Sequence, residues 1–127
     1  MEPNEDPVEA VLREIFEETA LVSKISKNPN VLTLNFDYPE IIEPPRHILI
    51  EDIDDPEDGH HQHIDMIYYC YPVDGVMGLS PGWSLFSYEV LKNALKVHQL
   101  GKECLDPSIY PPLDVLTLGV EAIDATI

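Results

Sequence analysis

The stretch Asp6-Pro7-Val8-Glu9-Ala10-Val11-Leu12-Arg13-Glu14-Ile15-Phe16-Glu17-Glu18-Thr19-Ala20-Leu21 decides how the chain is read. Asp6 offers a side-chain oxygen to the first free amides of a helix, Pro7 suits the first helical position, and Glu9 stands three residues after the cap. Val8, Val11, Leu12 and Ile15 then recur at i, i+3, i+4 and i+7, with Phe16 at the border, so one apolar stripe faces a core. The spacing predicts a helix to about Thr19. Residues 21–25 favour extended chain, and a strand should follow.

On that helix Glu14, Glu17 and Glu18 stand at i, i+3 and i+4, where neighbouring side chains emerge close together and like charges oppose one another. A hard divalent cation such as Mg²⁺ removes that opposition because it prefers oxygen ligands. Arg13 lies four residues after Glu9 and four before Glu17, in place to hold a carboxylate by a forked hydrogen bond. Taken alone, these four residues also suit a solvated acidic face with an ordinary ion pair.

Working outward, residues 27–45 mix the short alternating run Leu32-Thr33-Leu34-Asn35-Phe36 with Asn-Pro, Tyr-Pro and Pro-Pro punctuation, so any strand there is short. Residues 46–53 and 62–71 predict longer strands. The second puts Ile64, Met66, Tyr68 and Cys70 on one face and Asp65, Ile67, Tyr69 and Tyr71 on the other, as in a sheet covered on both sides. The acidic run from Glu51 to Gly59 between them reads as a solvated hairpin loop. Residues 83–86 predict a short strand, and Ser87 caps a helix through Val90, Leu91, Ala94, Leu95 and His98 that Gly101 ends. Residues 101–127 form a tail in which 113–118 suits either a strand or a helical turn.

A chain of 127 residues fits a single domain, and seven Lys plus Arg against 24 Asp plus Glu leave a net charge of −17. Such a surface repels phosphate, which argues against a duplex nucleic-acid partner. An anionic substrate is compatible only where carboxylates gather cations that reverse the local sign. Cys70 and Cys104 form no CxxC, the N-terminus is acidic, and no apolar run reaches membrane-spanning length. A soluble, reduced, cytoplasmic protein with no membrane partner is expected.

The wider string resembles the Nudix box, G-x5-E-x7-R-E-U-x-E-E-x-G-U with U aliphatic. Glu5, Arg13, Glu14, Glu17 and Glu18 fall at the specified charged positions, and Ile15 and Leu21 at the U positions. Residues 61–69, His-Gln-His-Ile-Asp-Met-Ile-Tyr-Tyr, look like the His-Ile-Asp strand of many Nudix domains, and Leu85-Phe86-Ser87 like the segment before their last helix. The resemblance is close over residues 5–21 and loose over 46–100. It implies an α/β fold with a mixed β-sheet sandwiched between helices. The first motif glycine would precede Met1, so the usual N-terminal strands are expected to be missing; a homodimer in which a partner copy completes the sheet is one further alternative. Ala20 replaces the second motif glycine; if that position needs φ > 0, alanine costs about 1 kcal/mol.

The resemblance further implies water-driven, Mg²⁺- or Mn²⁺-dependent cleavage of a nucleoside diphosphate linked to another moiety, with a nucleotide-type small molecule as substrate. Glu14, Glu17 and Glu18 are then the metal ligands. Glu14 or Glu17 polarises the attacking water, Arg13 orients the cluster, and Glu5 supports the turn. The alternative is a catalytically inactive Nudix-like fragment or binding module.

Other residues carry competing readings. His61 and His63 share a strand face next to His60, an arrangement that suits Zn²⁺ or Ni²⁺; the favoured role is a cleft-mouth junction where a histidine such as His63 meets a phosphate or base. Asp65 reads as a hydrogen-bonded cleft residue. Tyr68 reads as a core aromatic, while Trp83 suits core or base stacking equally. The acidic run lacks EF-hand spacing, which argues against calcium.

Overall fold

A computed structural model describes residues 1–101 and 106–126; Cys104 lies outside them. The chain is mixed α/β and divides into two compact units, Met1–Pro81 and Gly82–Ile127.

In the first unit α1 spans Pro7–Thr19, as the periodicity predicts. Asp6 caps it by accepting from the Glu9 amide at 2.8 Å. Ala10 is buried, Val8, Val11, Leu12 and Ile15 are half-buried, and Phe16 is 54% exposed, so the stripe is only partly covered. The helix ends on Ala20, whose φ of 64° is left-handed and whose amide donates to the Phe16 carbonyl. The residue at the motif's glycine position therefore does carry a positive φ, with the strain a β-carbon brings.

β1 (Ser23–Ile25) follows, then irregular chain to β2 (His47–Asp55), β3 (Gly59–Ile67) and β4 (Cys70–Pro72). The expected single mixed sheet is replaced by two antiparallel pairs, β1 with β4 and β2 with β3. The predicted 62–71 strand is divided between them. It breaks at Tyr68 and Tyr69 because both are committed elsewhere: the Tyr68 hydroxyl donates to the Glu43 carbonyl at 2.8 Å, and Tyr69 is buried with its carbonyl accepting from the Ser26 amide at 2.7 Å. The aromatic expected in the core at Tyr68 is thus Tyr69. Arg46 braces this corner, donating to the Ser26 and Lys27 carbonyls and lying 5.5 Å from the Tyr69 ring centroid.

The β2–β3 hairpin closes through Asp55-Pro56-Glu57-Asp58-Gly59, with the Asp55 side chain accepting from the Glu57 and Asp58 amides and Gly59 at φ 75°. Asp and Pro open the turn and glycine supplies the left-handed residue that rejoins the ladder. Its register pairs Ile48 with Met66 and Ile50 with Ile64 on one face, and Leu49 with Asp65, Glu51 with His63 and Ile53 with His61 on the other. The first set stands in solvent: Ile48, Ile50 and Ile64 are 64%, 68% and 70% exposed. Cover on both faces, expected from the alternation, is therefore not observed.

The second unit is a helical pair, α2 (Tyr88–Leu100) and α3 (Leu113–Thr126). Ser87 caps α2 and Gly101, at φ 64°, ends it as predicted. The tail's ambiguous segment is helix, and residues 83–86 and 32–36, expected as short strands, have no regular structure. Leu91, Ala94 and Leu116 form the core, with Phe86, Leu95, Tyr110, Val120 and Ile123 packed around it. Gly119 lets the helices approach closely, since a β-carbon there would lie 3.3 Å from the Leu91 side chain. Among the described residues no helix is long and apolar enough to cross a membrane.

Two substitutions probe this framework in urea unfolding. Ala20→Gly relieves the left-handed strain and should stabilise by about 0.5–1 kcal/mol. Leu116→Ala empties a fully buried site and should cost about 2–5 kcal/mol.

Candidate functional site

The helix period carries Glu17 and Glu18 to solvent and Glu14 to the edge that faces β3, and one cation, Arg13, organises the acids around it. Arg13 Nε donates to Glu5 Oε2 at 2.7 Å and Nη2 to Glu5 Oε1 at 3.1 Å, while Nη1 donates to Glu17 Oε2 at 3.0 Å. Glu14 Oε1 lies 3.5 Å and Glu2 Oε1 3.9 Å from the same guanidinium. The fork expected toward a helix carboxylate is made to Glu5, outside the helix, and Glu17 takes a single bond. Glu5 also accepts from the Glu2 amide at 2.9 Å. Its carboxyl is therefore held down at about 2, chiefly by the Arg13 hydrogen bonds and then by the backbone. Arg13 is held still more firmly protonated.

A groove of about 940 Å³ runs between α1 and β3. Pro7, Ala10, Val11 and Glu14 line one wall and residues 62–68 the other. The fold thus brings Glu14, His63 and Asp65 to one concavity, although they are distant in sequence. Arg13, Glu5, Glu17 and Glu18 are not among its lining residues. Glu14 and Glu17 side chains are 53% and 58% exposed, and Glu18 is also exposed. Among the described residues no group of three or more His, Cys, Asp or Glu side chains is assembled to hold a metal ion. The convergence expected of Glu14, Glu17 and Glu18 is not present as a ready-made cluster among the described residues; Glu14 and Glu17 are paired with Arg13 instead.

Sequence reasoning missed one feature here and left another without its geometry. Ala10 forms part of the groove wall, which the helical period signals only once the opposing strand is known. The contact between His61 and His63, 3.2 Å between Nε2 atoms, was visible beforehand only as a shared strand parity. The remaining readings resolve simply. The Asp55 carboxylate is occupied by turn amides. Burial pushes the Cys70 thiol up to about 11, so it is inert at neutral pH. Trp83 is 49% exposed in the second unit.

Comparison with models of known protein families, with curated proteins and with solved structures finds no match.

The Glu5–Arg13 contact has a defined acid dependence. Because the folded carboxyl titrates at about 2, below its ordinary 4.5, the unfolded chain takes up this proton first as pH falls. Its stabilisation is complete above pH 4.5 and is lost as pH drops toward 2. Carbon-detected NMR should place the Glu5 carboxyl midpoint near 2 and return it toward 4.5 in Arg13→Ala.

Proposed function

We propose that this chain is a Nudix-type pyrophosphohydrolase domain that cleaves a nucleoside diphosphate linked to another moiety. The observation that carries the reading is the meeting of Glu14, from the helix that resembles the Nudix box, with His63 and Asp65 in one groove. Water attacks a phosphorus, a new P–O bond forms as the bridging P–O bond breaks, and a carboxylate of Glu14 or Glu17 receives the water's proton. His63 and Asp65 orient the phosphate or base. Arg13 acts on Glu17 and Glu5 as a positioning residue.

The donor chemistry suits Mg²⁺, with Mn²⁺ as a substitute: Glu14, Glu17 and Glu18 supply hard oxygen ligands on exposed side chains, and an ion that gathers them displaces the Arg13 contacts of Glu14 and Glu17. When bound, the ion supplies neutralisation of charge spreading onto the phosphate oxygens. In an acidic chain of net charge −17 that role is indispensable for an anionic substrate.

A second reading, a catalytically silent Nudix-like binding module, is favoured by one observation: the three carboxylates are not gathered among the described residues.

The test is Mg²⁺-dependent phosphate release by this chain on nucleotide sugars, dinucleoside polyphosphates, NADH, ADP-ribose and oxidised nucleoside triphosphates. Turnover is expected with at least one of them. Glu17→Gln and Glu18→Gln should each lower it about a hundredfold or more while changing stability by less than about 0.5 kcal/mol. Absence of turnover with every substrate supports the binding module; turnover unaltered in both variants defeats the residue assignment.

A further inference from the structure

His63 orients the phosphate or base in the reaction proposed above, but its contact with His61 has no part there. Strand parity places both on the face of β3 that also carries Asp65, and the ladder sets Ile53 opposite His61 and Glu51 opposite His63. The rings tilt toward each other with centroids 4.9 Å apart, and their Nε2 atoms are separated by 3.2 Å. Two nitrogens bound at about 2.0–2.1 Å to one tetrahedral ion stand roughly 3.3–3.4 Å apart, so the backbone already holds the pair at chelating separation.

The outer nitrogen of His61 is also committed. Its Nδ1 lies 3.1 Å from the Gly59 carbonyl, to which it donates. That bond fixes the tautomer whose Nε2 lone pair faces His63, the same back-side support that ligating histidines receive from carbonyls. Without an ion, His63 donates its Nε2 hydrogen to that lone pair. When His63 carries its proton on Nδ1 instead, both Nε2 lone pairs face the space between the rings, with no net change of charge.

We propose that His61 and His63 form a two-imidazole site for a borderline divalent transition metal of the Zn²⁺, Ni²⁺ or Cu²⁺ class. Imidazole nitrogens select such ions over Mg²⁺, so this site takes a different ion from the carboxylate helix, although His63 also lines the groove beside Glu14. Water fills the remaining positions. Glu51 stands directly across the ladder from His63, but the described residues assemble no group of three such donors, so the site is the imidazole pair alone. His60 is the internal control: it lies on the opposite face, 4.0 Å from Asp52.

Calorimetric titration of the intact chain with Ni²⁺, without nucleotide, tests this. One ion per chain is expected. His61→Ala and His63→Ala should each weaken binding about tenfold or more, and His60→Ala should leave it unchanged. Sub-stoichiometric Cu²⁺ should broaden the His61 and His63 imidazole resonances before those of His47 and His98. Equal Ni²⁺ uptake by the His61→Ala/His63→Ala double variant, or an equal loss in His60→Ala, overturns the proposal. Because no Mg²⁺ or phosphate ester is present, neither result depends on the pyrophosphohydrolase reading.

Discussion

One guanidinium controls the acidic end of this protein. Arg13 forks onto Glu5, bonds Glu17 and stands within 4 Å of Glu2 and Glu14. In a chain with so large an excess of carboxylates, like charges three and four residues apart on a helix oppose the helix itself. A cation set among them replaces that opposition with attraction and orders the segment before Pro7 at the same time. The cost is that Glu14 and Glu17 are both drawn to Arg13 and not, together with Glu18, toward a shared cation. Any ion that gathers the trio competes with this contact, so the arginine both positions the acids and restrains them.

The groove follows from a second constraint, the division of the chain at Tyr68 and Tyr69 between two strand pairs. β3 leaves its ladder at Ile67 because Tyr68 and Tyr69 are held by the irregular segment between β1 and β2, and the chain resumes in β4 against β1. Two small sheets result. The hairpin consequently projects with one apolar face in solvent, and α1 faces β3 across an open space into which Glu14, His63 and Asp65 all look. The same hairpin brings His61 and His63 together on one of its faces, so one element contributes both to the groove and to a nitrogen-donor pair that shares His63 with it.

Local features were legible in advance. The start of α1 at Asp6-Pro7, its end near Thr19, the cap of α2 at Ser87 and its stop at Gly101 all depend on residues within one turn, where side-chain acceptors and glycine's freedom act without tertiary help. Less was legible of the strands. The alternation over 62–71 cannot say that its two ends pair with different partners, and residues 83–86 have strand-like composition yet join no ladder among the described residues. Ala20 shows the limit from the other side: its departure from glycine was evident in the sequence, but only the observed φ shows that the position is left-handed.

Of the site, the spacing of Glu14, Glu17 and Glu18 and the proximity of Arg13 came from sequence, because i, i+3 and i+4 positions share a helix face in any context. Which carboxylate Arg13 chooses, which acid reaches a groove, and that His63 and Asp65 stand opposite it were decided by tertiary structure. Those outcomes depend on contacts between segments distant in the chain, set by where β3 ends and how the residues before Pro7 fold back, and no local period encodes them.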